Sequence, residues 1–111
     1  MSQLIEIELN DGKTYKLGFA TRKDVKFAEK QGLDITNVGK AVSFYDTLYY
    51  TAFLAEHPST TEYEAQKIIE KYIEEGGDIE EIQKFLTAQY ENFIKSPEKS
   101  KIIKKAKIIN M

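Results

Sequence analysis

The chain has 111 residues and a formal net charge of −2, with 41% hydrophobic and 31% charged residues, which is typical of one folded domain. It contains no cysteine, which excludes disulfide bonds and any site built on a thiolate. His57 is the only histidine, so the composition leaves few of the common metal and acid–base chemistries.

Residues 3–19 predict a β-hairpin. Two runs alternate apolar with polar residues, and the apolar members are Ile5, Ile7, Leu9, Tyr15, Leu17 and Phe19. Between the runs, Asp11-Gly12 supplies residues that tolerate positive φ in a tight turn. Because an isolated hairpin is marginally stable in water, we expect it to pack on helices or to pair with another sheet.

Four helices are predicted after the hairpin, at about residues 21–31, 36–56, 60–75 and 78–95. Three of their starts are indicated by residue pairs with capping spacing: Thr21 with Asp24, Ser59 with Glu62, and Asp78 with Glu81. Gly32 and Gly76-Gly77 are predicted to end helices. The inner faces of the last two helices include Ile73 and Ile94, respectively. The sequence therefore predicts a single α+β domain over residues 1–95, an N-terminal β-hairpin followed by a mainly α-helical bundle of four to five helices.

The predicted second helix carries the densest apolar residues. At 100° per residue, one wide stripe collects Val38, Ala41, Val42, Tyr45, Leu48, Tyr49, Ala52 and Phe53. Tyr50 and Leu54 lie outside that stripe and need a second layer, supplied either by this chain or by another chain. With neighbouring Phe44 they form the candidate protein-interaction surface, because tyrosine is enriched at interfaces. We expect this helix to carry more apolar surface than the chain can bury alone.

Residues 96–111 form a basic C-terminal tail. Residues 95–111 hold six lysines and one glutamate, whereas residues 1–94 hold ten basic and seventeen acidic side chains. The acidic body repels phosphate, so no nucleic-acid partner is predicted. The tail could dock on the body, dock on a partner helix or be disordered. Its apolar residues keep a helical spacing, which defines a candidate tail contact: Ile102, Ile103, Lys104, Lys105, Ala106, Lys107 and Ile109.

No residue pattern indicates catalysis, a metal site or a cofactor. His57 follows Glu56 and precedes Ser59, but no motif orients a nucleophile toward it, and its place at a helix end favours a structural role. The acidic residues around Gly76-Gly77 lack the ligand alternation of a calcium loop and are placed to cap a helix. The sequence predicts a protein that is not an enzyme.

The order of the segments DGKTYKLGF, LYYTAFLAEHPSTTEYEA and IIEKYIEEGGDIEEIQKFLTAQYENF resembles the tail assembly chaperones of long-tailed (siphovirus-type) bacteriophages. The resemblance covers about residues 1–95. It implies a non-catalytic protein that binds the tape measure protein and helps recruit tail tube protein during tail assembly. Many members are also made in a longer, frameshifted form. The resemblance carries over no catalytic or ligand-binding residue.

A second interpretation stays open. The chain could be a small protein-interaction or regulatory module, unrelated to phage, that self-associates through its helices. Neither a secretory leader pattern nor an apolar stretch of the ~20 residues needed for a membrane span is present, so we expect no membrane partner. The expected location is the cytoplasm, which under the phage interpretation is that of the bacterial host.

Overall fold

The computed structural model describes residues 4–40 and 42–95. Two antiparallel strands come first, β1 (Ile5–Glu8) and β2 (Thr14–Leu17). Four helices follow: α1 (Arg22–Lys30), α2 (Val42–Phe53), α3 (Glu62–Glu74) and α4 (Ile79–Lys95). The predicted α+β class, with an N-terminal hairpin followed by helices, is confirmed. No helix in residues 4–40 and 42–95 is both long enough and apolar enough to cross a bilayer.

The hairpin turn is a three-residue loop over residues 10–12. The Leu9 N–H donates to the Lys13 carbonyl and the Gly12 N–H donates to the Leu9 carbonyl, both at 2.9 Å. Gly12 has φ 89°, the left-handed conformation that closes such a loop. The Asp11 carboxylate accepts the Lys13 N–H at 2.9 Å, and this bond lowers the pKa of Asp11. The predicted turn position is therefore correct.

Helix α1 has the predicted boundaries. The Thr21 hydroxyl accepts the Asp24 N–H, and the Asp24 carboxylate accepts the Thr21 N–H at 3.0 Å, which completes a capping box. Gly32, at φ 109°, ends the helix. The Leu33 N–H then donates back to the Ala28 carbonyl at 3.0 Å, and both side chains are buried.

Helix α2 begins later than predicted. The segment Ile35–Asn37 forms a 3₁₀ turn, in which the N–H and the hydroxyl of Thr36 donate to the Asp34 carboxylate at 2.9 and 2.8 Å. These bonds lower the pKa of Asp34 and give the backbone an alternative to the helix. Gly39 then adopts φ 71°, which an α-helix cannot accommodate. The prediction that a helix starts at residue 36 is wrong for these reasons.

The cap of α3 lies at Thr61, so the predicted capping box at Ser59 is wrong. The Thr61 hydroxyl accepts the Glu64 N–H at 3.1 Å, and the Glu64 carboxylate accepts the Thr61 N–H at 2.9 Å. Ser59 instead lies inside a turn closed by the Thr60 N–H on the His57 carbonyl at 3.0 Å. Proline after His57 favours that turn, which delays the helix.

The connection between α3 and α4 depends on two glycines. Gly76 has φ 92°, and the Gly77 N–H donates to the Tyr72 carbonyl at 2.9 Å, which satisfies the last turn of α3. A Cβ atom on Gly77 would overlap the Tyr72 ring. Asp78 then accepts the Glu81 N–H at 3.2 Å, so the predicted cap of α4 is confirmed.

The rest of the chain encloses α2. This helix packs against β2, α1, α3 and α4, and from Phe44 to Phe53 each of its residues is buried or half-buried. From Phe44 to Phe53, the expectation that this helix carries more apolar surface than the chain can bury is therefore wrong, because four elements cover it. Val42, in the first turn of the helix, stays exposed. The fully buried side chains of the core include Leu17, Phe19, Leu48, Phe53, Ile82, Leu86 and Tyr90.

Candidate protein-interaction surface

Phe44 belongs to the core and not to an interaction surface. Its side chain is 4% exposed, and its ring lies 5.2 Å from the Tyr45 ring and 6.5 Å from the Tyr90 ring, between centroids. Tyr90 is on α4, so α4 covers Phe44. The assignment of Phe44 to the interaction surface is wrong, because spacing along one helix does not reveal where a neighbouring helix packs.

Tyr50 and Leu54 are half-buried. Tyr50 packs against the core, so the second layer that it needs comes at least partly from its own chain. Leu54 follows the last residue of α2 and lies in a turn, with its N–H donating to the Thr51 carbonyl at 3.2 Å. Contact of Tyr50 and Leu54 with another chain stays a prediction.

The candidate tail contact lies outside the described residues, since the description of α4 ends at Lys95. This applies to all of its members: Ile102, Ile103, Lys104, Lys105, Ala106, Lys107 and Ile109.

His57 joins the hairpin to α2. Its Nε2 accepts the Lys16 N–H at 3.3 Å, and its ring lies 5.6 Å from the Tyr15 ring and 6.2 Å from the Phe53 ring. The arrangement accounts for His57 as a structural residue.

The acidic segment after α3 contacts the hairpin turn. The Glu75 carboxylate accepts the Asn10 N–H at 2.7 Å, and the Lys71 ammonium lies 3.8 Å from the Asp11 carboxylate. The carboxylate of Asp78 caps α4. In residues 4–40 and 42–95, no group of three or more acidic or histidine side chains is arranged to hold a metal ion.

Tyr90 buries a hydroxyl that has no hydrogen-bond partner among the described residues. Its ring lies 6.5 Å from both the Phe19 and the Phe44 rings. Burial raises the pKa of Tyr90 to about 12, and the nearby carboxylates of Glu29 and Asp34 act in the same direction. Tyr90 is therefore a neutral, fully buried side chain at the junction of the hairpin, α2 and α4.

Several large apolar side chains stay exposed although the core is complete. They are Phe27 (39% exposed), Val42 (79%), Tyr63 (67%), Ile73 (46%) and Ile94 (38%). The predictions that Val42, Ile73 and Ile94 face the core are wrong. Val42 and Ile94 belong to the terminal turns of their helices, where the covering elements no longer reach. Single exposed apolar side chains are common, so their positions relative to one another decide their significance.

Val42 and Ile94 lie at the same end of the α2–α4 pair. The Gln83 side chain donates to the Tyr49 hydroxyl at 2.8 Å, and Phe44 contacts Tyr90, so the two helices run antiparallel. From this Gln83–Tyr49 bond, Val42 is about two turns back along α2 and Ile94 about three turns on along α4. Both steps lead toward the same end of the helix pair. Seven and eleven residues are close to whole numbers of turns, so each residue lies on the same side of its helix as the bond. We refer to Val42 and Ile94 together as the α2–α4 end patch.

Sequence reasoning missed this patch because Val42 and Ile94 each have the spacing of the residues that face the core in their own helix. The available signal was their position in the first turn of α2 and the last turn of α4. That signal becomes usable only when the start of α2 is known, and the start depends on Gly39.

These features define an α+β domain with an enclosed central helix and an apolar patch at one end. The chain belongs to the family described as a domain of unknown function, DUF5055, which it matches over residues 1–108. No curated protein and no solved structure matches the chain.

Proposed function

We propose that this chain is a non-catalytic assembly chaperone of the phage tail type, which binds the tape measure protein and helps recruit tail tube subunits in the bacterial cytoplasm. The observation that carries the proposal is the α2–α4 end patch, together with the resemblance of residues 1–95 to the tail assembly chaperones. The tape measure protein, as the resemblance implies, is a long helical chain that must be kept soluble.

The patch suits a helical client. An amphipathic helix binds other proteins by laying its apolar face on an apolar surface. Val42 and Ile94 offer such a surface on the flank of two packed helices, and neither is part of the buried core. The patch can therefore be covered and uncovered without opening the fold.

The size and charge of the chain favour binding in several copies. A patch of two principal side chains is small, so one contact is weak, but several chaperones on one long client would gain from avidity. The seventeen acidic side chains of residues 1–94 outnumber the ten basic ones, which helps keep such an assembly soluble.

The test is co-expression with the tape measure protein encoded in the same genome, followed by affinity capture of the tagged chaperone. We expect the wild type to retain soluble tape measure protein, and the double variant V42D/I94D to lose most of it. The control is Y63D, which places one such charge on an exposed apolar position of α3 outside the patch. Thermal unfolding of each variant shows that the fold is intact.

Two results would contradict the proposal. One is capture of no tape measure protein by the wild type, and the other is equal loss with Y63D and with V42D/I94D. If the wild type instead forms a dimer that V42D/I94D converts to a monomer, and no client is captured, the patch serves self-association in a regulatory module.

A further inference from the structure

The two outer edges of the hairpin differ in how the rest of the described chain covers them. On the outer edge of β2, the Lys16 N–H donates to His57 Nε2 at 3.3 Å. On the same side, the Gly18 N–H donates to the Ala52 carbonyl at 3.0 Å. The end of α2 and the residues after it therefore close this edge.

In the part of the chain that the structure describes, the outer edge of β1 is open. Lys16 pairs in register with Glu6, and Thr14 pairs with Glu8. In an antiparallel ladder, residues opposite one another both turn their N–H and C=O groups either inward or outward. Since the Lys16 N–H points outward, the backbone groups of Glu6 and Glu8 point outward as well. Among residues 4–40 and 42–95, no strand pairs with β1 on that side.

The open edge carries a defined chemical pattern. Glu6 and Glu8 are exposed, whereas Ile7 faces the core and Ile5 is half-buried. A strand added here would place alternate residues beside the two glutamates and the intervening residues on the apolar face. The edge thus favours an extended segment with lysines two residues apart and apolar residues between and after them.

We propose that the open edge of β1 binds residues 105–108 of the same chain as a third strand. In this segment Lys105 and Lys107 alternate with Ala106 and Ile108. In either chain direction the lysines fall beside the two glutamates of β1, and the apolar residues join the face of Ile7. Opposite charges directly across a sheet stabilise the pairing.

The segment can reach the edge. The Phe19 N–H donates to the side-chain Oε1 of Gln89 on α4 at 2.6 Å, and Phe19 lies two residues after Leu17, which pairs with Ile5. The end of β2, which pairs with the start of β1, therefore lies near α4. Ten residues lead from Lys95 to Lys105, and ten residues span at most about 33 Å, whereas the helix from Gln89 to Lys95 rises only about 9 Å.

The test is residue-resolved amide hydrogen exchange on the full chain. We expect the Glu6 and Glu8 amides to be protected in the wild type and to exchange about tenfold or more faster in K105P/K107P, because proline cannot donate to a ladder. The control K99P/K101P alters the tail before the segment and should keep the protection. The Ile7 amide, which bonds within the hairpin, reports that each variant is folded.

Three outcomes would overturn the proposal. The Glu6 and Glu8 amides could exchange in the wild type as fast as those of an unfolded peptide. Their protection could survive K105P/K107P, which would assign the edge to a different segment. Protection that disappears on dilution would assign the third strand to a second copy of the chain.

Discussion

The Lys16 backbone N–H donates to His57 Nε2, so the single histidine of the chain acts as a clamp between the hairpin and α2. The same ring contacts Tyr15 on the hairpin and Phe53 at the end of α2. One side chain therefore closes the outer edge of β2 and also adds to the packing between the two elements.

Substitution of His57 should lower stability in two steps. His57→Phe keeps the ring contacts but leaves the Lys16 N–H to water, and we expect a loss of about 0.5–1 kcal/mol in the free energy of unfolding. His57→Ala also removes the ring contacts, with an expected loss of about 1–2 kcal/mol. Urea unfolding measures both losses. Glu56→Ala, which alters the exposed neighbouring residue, is the control. If His57→Ala is as stable as the wild type, His57 does not stabilise the packing of the hairpin on α2.

Phe44 and Leu54 should differ sharply when truncated. Phe44→Ala removes a buried ring and should cost about 3–5 kcal/mol of unfolding free energy. Leu54 is half-buried, so Leu54→Ala should cost about 1 kcal/mol or less. Chemical denaturation gives both values. Equal, small losses of unfolding free energy in the two variants would show that Phe44 is a surface residue.

The start of α3 can be tested with two neighbouring hydroxyl residues. Thr61→Ala removes the cap that accepts the Glu64 N–H and should cost about 1 kcal/mol. Ser59→Ala alters a residue inside the preceding turn and should change stability by less than about 0.5 kcal/mol. Thermal unfolding of the two variants in parallel decides the position of the cap. A larger loss in Ser59→Ala would place it at Ser59.

Tyr90 should make stability sensitive to alkaline pH. Its pKa is about 12 in the folded chain against an ordinary value of 10.0, so the unfolded chain loses the proton first. The free energy of unfolding is therefore unaffected by this group below pH 10 and falls as pH rises from 10 toward 12.

Tyr90→Phe removes that titration and also removes a buried hydroxyl that has no hydrogen-bond partner within residues 4–40 and 42–95. At neutral pH we expect the variant to be as stable as the wild type or more stable by about 1 kcal/mol. Its advantage should widen between about pH 10 and pH 12, as measured by urea unfolding. A difference that stays constant over this range would show that Tyr90 does not titrate as its burial requires.

Short-range patterns predicted the parts of the fold that depend on neighbouring residues. The hairpin follows from period-two alternation and Asp11-Gly12, and the caps of α1 and α4 follow from pairs three residues apart. The same reasoning chose the wrong one of two overlapping capping boxes before α3. Both Ser59 and Thr61 have glutamate at the required spacing, and the turn after His57 decides between them.

The environment of α2 could not be predicted from its own spacing. Whether Phe44 or Val42 is exposed depends on where α4 and α1 end relative to α2, which is a property of the tertiary packing. For the same reason, the open edge of β1 became visible only when the partners of Lys16 and Gly18 on β2 were known.

The enclosure of α2 also constrains how the chain folds during synthesis. Its covering elements lie on both sides in sequence, and Tyr90, near the end of α4, packs between rings from the segment after the hairpin and from α2. A nascent chain that has emerged only as far as α3 lacks one wall of this core. The apolar side chains of α2 that pack against α4 therefore stay uncovered until the last helix has emerged from the ribosome.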